Sequence, residues 1–336
     1  MPEPIVLHLG RAGEVPGGMT QVINGILNWD FRRCQTVLLR TRSGRSAARD
    51  FASWARAVLA IVRCRRERHV VVGHLSQRGS FLREGSLLML AHCRGLRTVA
   101  QLHGSSFANY ASRRRLIVRS VLRCTEVVLV LSRETESVAR SIVPEKPVRV
   151  VPNTVMRGAM SSRKSNSVVF AGLISERKGA DVLLKSWSLA ALNGWRLILA
   201  GPIAPGFVPE PVTDSVDLAG SLSNGQVLDL LDSAKIAILP SRAEAMPVFL
   251  LEAMARNVAI VTTGVGGIPE LVGDAGLVVR PGDVRELTEA ILSLASTEGA
   301  VEKWAGLAKQ RFEEHFAPEV VYTEMEEHWL DTSEGR

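Results

Sequence analysis

Cysteine, aromatic residues and long apolar runs are all scarce in these 336 residues, and each shortage excludes something. The four cysteines, Cys34, Cys64, Cys93 and Cys124, are spread singly with no CxxC pair. That spacing fits neither a zinc site nor a disulfide framework, so reduced, unreactive thiols are expected. Aromatics make only 5% of the chain and no recognition motif interleaves them with basic residues, which argues against a nucleic-acid partner. The longest uncharged apolar stretches, such as Val127–Leu131 and Leu87–Ala91, fall far short of the ~18 residues that a membrane span requires. Residues 1–10 carry no basic segment and read as a strand, so neither a signal peptide nor a cleavage site is expected, and the chain is assigned to the cytoplasm. Solenoid-period repeats and low-complexity tracts are absent too.

What is present is ordinary globular composition: 46% hydrophobic, 22% charged, 28 glycines and 15 prolines. The length favours two domains over one or three. The net charge of +7 hides a division. Residues 1–155 hold 25 Lys+Arg against 10 Asp+Glu, and the remainder 16 against 24, so the halves carry +15 and −8. An N-terminal half this basic implies an anionic partner such as phosphate groups or an acidic leaflet, or else a solubilising surface.

Both halves alternate short β-branched apolar runs with helical patterns, the signature of parallel sheets built from βαβ units. The first half reads as strands Ile5–Leu9, Thr36–Leu39, Val70–Gly73, Thr98–Leu102, Val127–Leu131 and Val148–Val151, with helices from Met19 and over Ala48–Arg63, Phe81–His92 and Arg113–Arg123. A polar stretch without periodicity, Asn153–Ser167, reads as a linker. The second half reads as strands Val168–Ala171, Arg196–Ala200, Ile236–Leu239, Ala259–Thr262 and Leu277–Val279, with helices Ala180–Ala191, Gln226–Ala234 and Val248–Arg256. Three amphipathic helices close the chain, Val284–Ala295, Ala300–His315 and Pro318–Leu330. The fold class is therefore α/β, with two doubly wound Rossmann-like domains at 1–155 and 165–316, followed by a terminal helical segment at 317–336.

Ligands of open parallel sheets bind beyond the carboxyl ends of strands, so the loops there are the candidates. After the first strand, Pro16, Gly17 and Gly18 precede a helix. Adjacent glycines let backbone N–H groups approach a phosphate, although a plain turn accounts for them equally. After the fourth strand come His103, Gly104, Ser105 and Ser106, and the preceding strand ends at His74 with Ser76, Ser80 and Arg83 beyond it. His103 can donate to a hydroxyl or phosphate oxygen, while His74, Arg83 and Ser105 make that edge polar enough to face an acceptor. The loop Gly172 to Gly179 holds Arg177 and Lys178 at a helix start, a phosphate clamp or a solvated cationic loop. The most specific segment runs from Pro240 to Ala255. Glu244 sits in its loop, Pro247 suits a first helical position, and the N–H groups of Val248 and Phe249 are left free. Glu252, eight residues beyond Glu244, must have a polar partner if buried, and carboxylates accept from the paired hydroxyls of sugar and ribose rings.

Glu244-x7-Glu252, with Phe170 to Gly172 and Lys178-Gly179 upstream, Gly266-Gly267 to Glu270 downstream and Gly17-Gly18 at the N-terminus, resembles retaining GT-B glycosyltransferases of family 4 over nearly the whole chain. The stretch His103 to Phe107 is similar to members that build bacterial exopolysaccharide, capsule or O-antigen chains. The resemblance implies two Rossmann-like domains facing a cleft, the C-terminal one holding the nucleotide-sugar and the N-terminal one the acceptor, with the last helix crossing back onto the N-terminal domain. It implies that Glu252 holds the ribose, that Glu244 contacts the transferred sugar, and that the backbone of Met246, Pro247, Val248 and Phe249 binds hydroxyls or phosphate. Lys178 would neutralise the diphosphate, Gly17 and Gly18 would let it approach, and His103 would touch the sugar near its anomeric carbon. Two positions depart from the pattern. Leu173 stands where relatives often have Arg, leaving Arg177 as the candidate substitute, and Asn257 ends a helix where glycine is usual.

The expected activity is retaining transfer of a sugar from a nucleoside diphosphate sugar to an acceptor hydroxyl, in cell-surface polysaccharide or glycolipid synthesis. No DxD-like carboxylate cluster is present, so neither a metal nor a cofactor is expected, and fixed cations and helix ends would carry the leaving charge. A GT-B epimerase or phosphorylase, or a non-catalytic GT-B partner subunit, are the alternatives. Clusters Arg63-Arg65-Arg66-Arg68 and Arg113-Arg114-Arg115 suit peripheral contact with the anionic inner face of a membrane and a lipid-linked sugar acceptor.

Overall fold

The computed structural model describes residues 3–331 apart from 14–16, 43–45, 78 and 159–163, so Pro16 and part of the expected linker lie outside the described residues. The chain divides into two compact units. One comprises the residues up to Thr154 together with the segment from Pro318; the other is Val155–Ala317.

The first unit runs β1 (Ile5–Gly10), α1 (Gly18–Asn28), β2 (Gln35–Arg40), α2 (Ala47–Arg63), β3 (His69–Leu75), α3 (Gly79–Cys93), β4 (Arg97–Leu102), α4 (Phe107–Arg113), α5 (Arg115–Arg123), β5 (Val127–Val130), α6 (Arg133–Ile142) and β6 (Val148–Val150). The second runs β7 (Ser165–Ala171), a 3₁₀ turn (Glu176–Lys178), α7 (Ala180–Ala190), β8 (Arg196–Ala200), β9 (Val216–Gly220), α8 (Asn224–Ser233), β10 (Ala234–Leu239), α9 (Val248–Ala255), β11 (Ala259–Thr263), α10 (Ile268–Val272), β12 (Leu277–Val279), α11 (Val284–Ser296) and α12 (Ala300–His315). The last helix, α13 (Pro318–Leu330), packs in the first unit.

Each unit has a six-stranded parallel sheet, ordered β2-β1-β3-β4-β5-β6 in the first and β12-β11-β10-β7-β8-β9 in the second. Central strands of such sheets are covered on both faces, which is why β3, β5 and β10 read as nearly unbroken apolar runs, whereas the edge strand β2 is half exposed. The order reverses direction between β1 and β3 in one sheet and between β7 and β10 in the other. These reversals open a crevice at the carboxyl edge, where ligands of this architecture bind. Arg97 ties α13 to the first sheet by donating to the carbonyls of Trp329 at 2.6 Å, His328 at 3.1 Å and Asp331 at 2.7 Å. Among the described residues no helix is long and apolar enough to cross a membrane.

Four local expectations are corrected. The helix expected over Arg113–Arg123 begins two residues later, as α5 at Arg115, and a separate helix not read from the sequence, α4, precedes it and ends at Arg113. The elements α6, β9 and α10 were not read from the sequence. Each is short or polar, and what fixes them is burial of a few side chains such as Ala139 and Ile142, Val216, and Ile268 with Leu271. The expected linker ends sooner, because Ser165 already starts β7. Pro247 caps α9 from outside, with extended ψ of 118°, and Val248 is the first helical residue.

Candidate functional site

At the reversal of the second sheet, the loop after β7 meets the loop after β10. Ser175 caps the 3₁₀ turn that presents Arg177 and Lys178, and Gly179 closes it with φ of 73°. A Cβ at Gly179 would stand 1.9 Å from the Pro240 carbonyl oxygen, so only glycine permits the two loops this approach. Lys178 Nζ donates to Glu244 Oε1 at 2.6 Å, and Ser241 Oγ donates to the same oxygen at 2.7 Å. The pair is largely buried, with side-chain exposures of 16% and 9%. Arg177 donates to the Ala243 carbonyl at 3.0 Å and accepts at its own carbonyl from Arg242 N–H at 2.8 Å, so it binds one loop to the other. Leu173 is exposed beside this turn.

The Glu244 loop is braced from its other side. Thr263 Oγ1 donates to the Ser241 carbonyl at 2.5 Å and Gly267 N–H donates to the Ala245 carbonyl at 2.8 Å. Met246, Val248 and Phe249 are buried, and the first internal bond of α9 is Leu250 N–H to the Pro247 carbonyl at 3.2 Å. Among the described residues the N–H groups of Val248 and Phe249 therefore have no backbone acceptor, as at any helix start. One turn on, Glu252 is 7% exposed and accepts from Asn224 Nδ2 at 2.8 Å. Burial pushes its carboxyl up to about 7, against the pull of Arg256 and Asn224.

The first unit's reversal carries the other candidates. Gly17, with φ of 142°, caps α1, and Gly18 opens it with no acidic residue in the first turn, so this helix end is free to favour an anion. His103 N–H donates to the Leu75 carbonyl at 2.7 Å, and its ring Nε2 lies 3.0 Å from His74 Nδ1. The sequence placed His74 among edge side chains facing an acceptor. In the structure it has no accessible surface, and its Nε2 lies 3.0 Å from His8 Nδ1. It stands behind His103 because β1, β3 and β4 are consecutive in the sheet. Arg83 is half buried, holding Glu84 through Nε at 3.0 Å and Nη2 at 3.3 Å. Ser105 is exposed, and the Gln77 amide, oriented with its oxygen toward this loop, accepts from Ser105 N–H at 3.2 Å.

The structure thus gathers Lys178, Arg177 and Glu244 into one cluster with Glu252 on the helix that follows; in the other unit His103 and Ser105 follow β4, while His74 is buried behind His103 and Arg83 is paired with Glu84 on α3. Ser241, Asn224, Gln77 and His8 were missed. For His8 there was a signal, since it is the only polar residue inside the apolar run Ile5–Gly10. Among the described residues no three His, Cys, Asp or Glu side chains gather as they would around a metal ion.

Both units have the Rossmann-like parallel architecture of the GT-B fold, and solved structures superpose accordingly. HepE of Anabaena, in complex with UDP and glucose, matches with a TM-score of 0.73 at 14% identity, covering 97% of this chain and 99% of that one. Sucrose-phosphate synthase from Thermosynechococcus elongatus matches at 0.72 and 15%, covering 96% and 98%. Residues 165–297, which hold Lys178, Glu244 and Glu252, match the family described as Glycosyl transferases group 1. Glycogen synthase of Mycobacterium tuberculosis is 33% identical over 118 residues, 34% of this chain and 28% of that protein. The amylovoran biosynthesis glycosyltransferase AmsK of Erwinia amylovora is 26% identical over 170 residues, 46% of this chain and 42% of that protein. The chain spans less than half the length of these curated relatives.

Proposed function

We propose that this chain is a retaining glycosyltransferase of family 4, which moves a sugar from a nucleoside diphosphate sugar to an acceptor hydroxyl in cell-surface polysaccharide or glycolipid synthesis, without bound metal or cofactor. The observation that carries this reading is the buried Lys178–Glu244 pair at the reversal of the second sheet, inside the segment that matches the glycosyl transferases group 1 family. The UDP and glucose in the HepE complex, and the role of AmsK in amylovoran biosynthesis, support the substrate class.

A diphosphate entering this site competes with Glu244 for the Lys178 ammonium. Once Lys178 turns to the phosphate oxygens, Glu244 is released to accept a hydroxyl of the transferred sugar, still braced by Ser241. The N–H groups of Val248 and Phe249 receive phosphate or hydroxyl oxygens, Glu252 accepts from the ribose, and Arg177 adds a second cation where relatives have the Arg that Leu173 replaces. Gly17 and Gly18 admit the diphosphate at the start of α1. His103 donates to a sugar hydroxyl, and Ser105 and Arg83 serve the acceptor. The leaving phosphate takes the acceptor's proton on the same face, so no side chain is assigned as base. Lys178 then supplies preorganised charge where the leaving group develops it.

Replacing Lys178 by Ala should lower turnover about 10²–10³-fold, the cost of deleting one preorganised donor at a developing anion. Thermal-shift screening with UDP-, GDP- and ADP-sugars finds the nucleotide first; near-normal turnover of Lys178→Ala would then refute the clamp. Peripheral membrane contact rests on α2, which exposes Phe51 and Leu59 at 68% and 55% beside its arginines. Co-sedimentation with liposomes should rise with acidic lipid, and indifference to acidic lipid removes this part of the reading.

A further inference from the structure

Three imidazoles line up across the first sheet's reversal. His8 lies on β1, His74 on β3 and His103 directly after β4, with the ring contacts His8 Nδ1 to His74 Nε2 and His74 Nδ1 to His103 Nε2 both at 3.0 Å. Neighbouring rings have centroids 5.2 Å apart and planes inclined by 30° in both pairs. They form a row rather than a ring around a common centre, consistent with the lack of any metal-holding group among the described residues. Burial lowers all three, His8 to about 3, His103 to about 4 and His74 well below the ordinary imidazole value. Each ring is therefore neutral, with one N–H and one bare nitrogen.

Neutral rings joined this way have only two consistent proton arrangements. In one, His8 Nδ1–H donates to His74, His74 Nδ1–H donates to His103, and His103 is left with its proton on Nδ1. In the other every proton moves to Nε2, so that His103 donates inward and His8 Nε2–H points away from the row. The far end of the row decides between them. Among the described residues His8 Nε2 is buried and without a hydrogen bond, and so is Trp329 Nε1 on α13, whose ring meets His8 edge-on at a centroid distance of 4.9 Å. In the first arrangement the row ends on a bare acceptor nitrogen at His8, so the indole N–H is the one buried donor at this end that is left without a bond. In the second, His8 Nε2–H and Trp329 Nε1–H are both buried donors without an acceptor, the rarer and costlier defect.

We propose that His8 and His74, backed by Trp329, are positioning residues that fix the tautomer of His103 so that its Nδ1 carries the proton and serves as a neutral hydrogen-bond donor. This deepens the reading of His103 as a donor to a sugar hydroxyl and rests on it for its purpose. The tautomer itself is independent of any activity. A neutral donor recognises a hydroxyl or phosphate oxygen without adding a charge that changes with pH in the physiological range.

Long-range proton–nitrogen correlation spectra of the full chain, labelled in histidine and assigned with His103→Gln, read the tautomer directly. The expected result at pH 7.5 is a pyrrole-type Nδ1 and a pyridine-type Nε2 at His103, with the same pattern at His74. A pyridine-type Nδ1 at His103 in the unaltered protein overturns the proposal without bearing on whether the chain transfers sugar. The variants His8→Phe and Trp329→Phe remove the acceptor and the donor at the far end, and either should shift the His103 nitrogens toward the opposite tautomer. Unchanged His103 nitrogens in a folded variant would show that the row does not set them. If the chain is active, His8→Phe should slow turnover about tenfold, the scale seen when a second-layer partner of a functional histidine is lost, with little change in donor KM. Loss of activity in Lys178→Ala beside an Nε2-protonated His103 would keep the transferase reading and discard this one.

Discussion

Glu84 and Glu252 hold matching places in the two units and are treated in opposite ways. Each is buried on the helix that follows a strand beside its sheet's reversal, α3 after β3 and α9 after β10. Glu84 receives three donors: Thr41 Oγ1 at 2.5 Å, Arg83 Nε at 3.0 Å and Arg83 Nη2 at 3.3 Å. Glu252 receives one, Asn224 Nδ2 at 2.8 Å, and its second oxygen takes no hydrogen bond among the described residues. Desolvation raises both carboxyls, and at Glu252 it lifts the value to about 7. A carboxylate whose bonds are completed by its own chain is fastening the fold, here joining the end of β2 to α3. One left half-bonded in a buried place costs stability and is suited to a ligand that brings its own hydroxyls.

The sharpest way to break this contrast is to neutralise each glutamate. Glu252→Gln keeps the bond from Asn224 and removes a charge the fold resists, so at pH 8 the variant should be more stable by about 3 kcal/mol. Its affinity for a nucleotide-sugar should fall at least about tenfold, because hydrogen bonds to a charged acceptor are worth roughly 1.5–3 kcal/mol. Urea unfolding and donor titration measure the two, and a destabilised Glu252→Gln would mean that Glu252 fastens the fold as Glu84 does. Glu84→Leu should do the reverse. Stripping Thr41 and Arg83 of their partner should cost about 2 kcal/mol, while nucleotide-sugar affinity stays within about twofold, since nothing in the second unit is disturbed.

The contrast also marks what a sequence can convey. The sheets were legible because a parallel strand covered on both faces must be apolar whatever surrounds it, so β1, β3, β5, β7 and β10 announce themselves. The Glu244-to-Glu252 spacing was legible because a loop and the first turns of a helix are local geometry. The Lys178–Glu244 bond joins residues 66 apart, and the Asn224–Glu252 bond residues 28 apart. Both depend on which strands adjoin, and strand order is a property of the assembled sheet. His74 was misplaced for the same reason: at the end of a strand it reads as an edge residue, until β1 and β4 are known to flank it. Glu84 carried no signal that its carboxylate would be so fully bonded, because Thr41 comes from a different strand-to-helix connection.

The finest test of the comparison is the pH dependence of Glu252 and its change when Asn224 is shortened. A carboxyl raised from 4.5 to about 7 contributes stability that is fully present below about pH 4.5 and is lost as pH rises through about 7. The stability advantage of Glu252→Gln should therefore vanish near pH 4.5, grow through the interval and level off above about 7.5. Donor binding should run the other way, strengthening as the carboxylate forms, so the unaltered chain is least stable where it binds best. Asn224→Ala removes the hydrogen bond that favours the charged form, which should move the midpoint of donor binding upward by up to about one pH unit, a change of about 1 kcal/mol. Nucleotide-sugar titrations from pH 6 to 9 follow that midpoint. If it stays in place while affinity falls equally at every pH, Asn224 touches the donor itself and Glu252 binds it in a single protonation state.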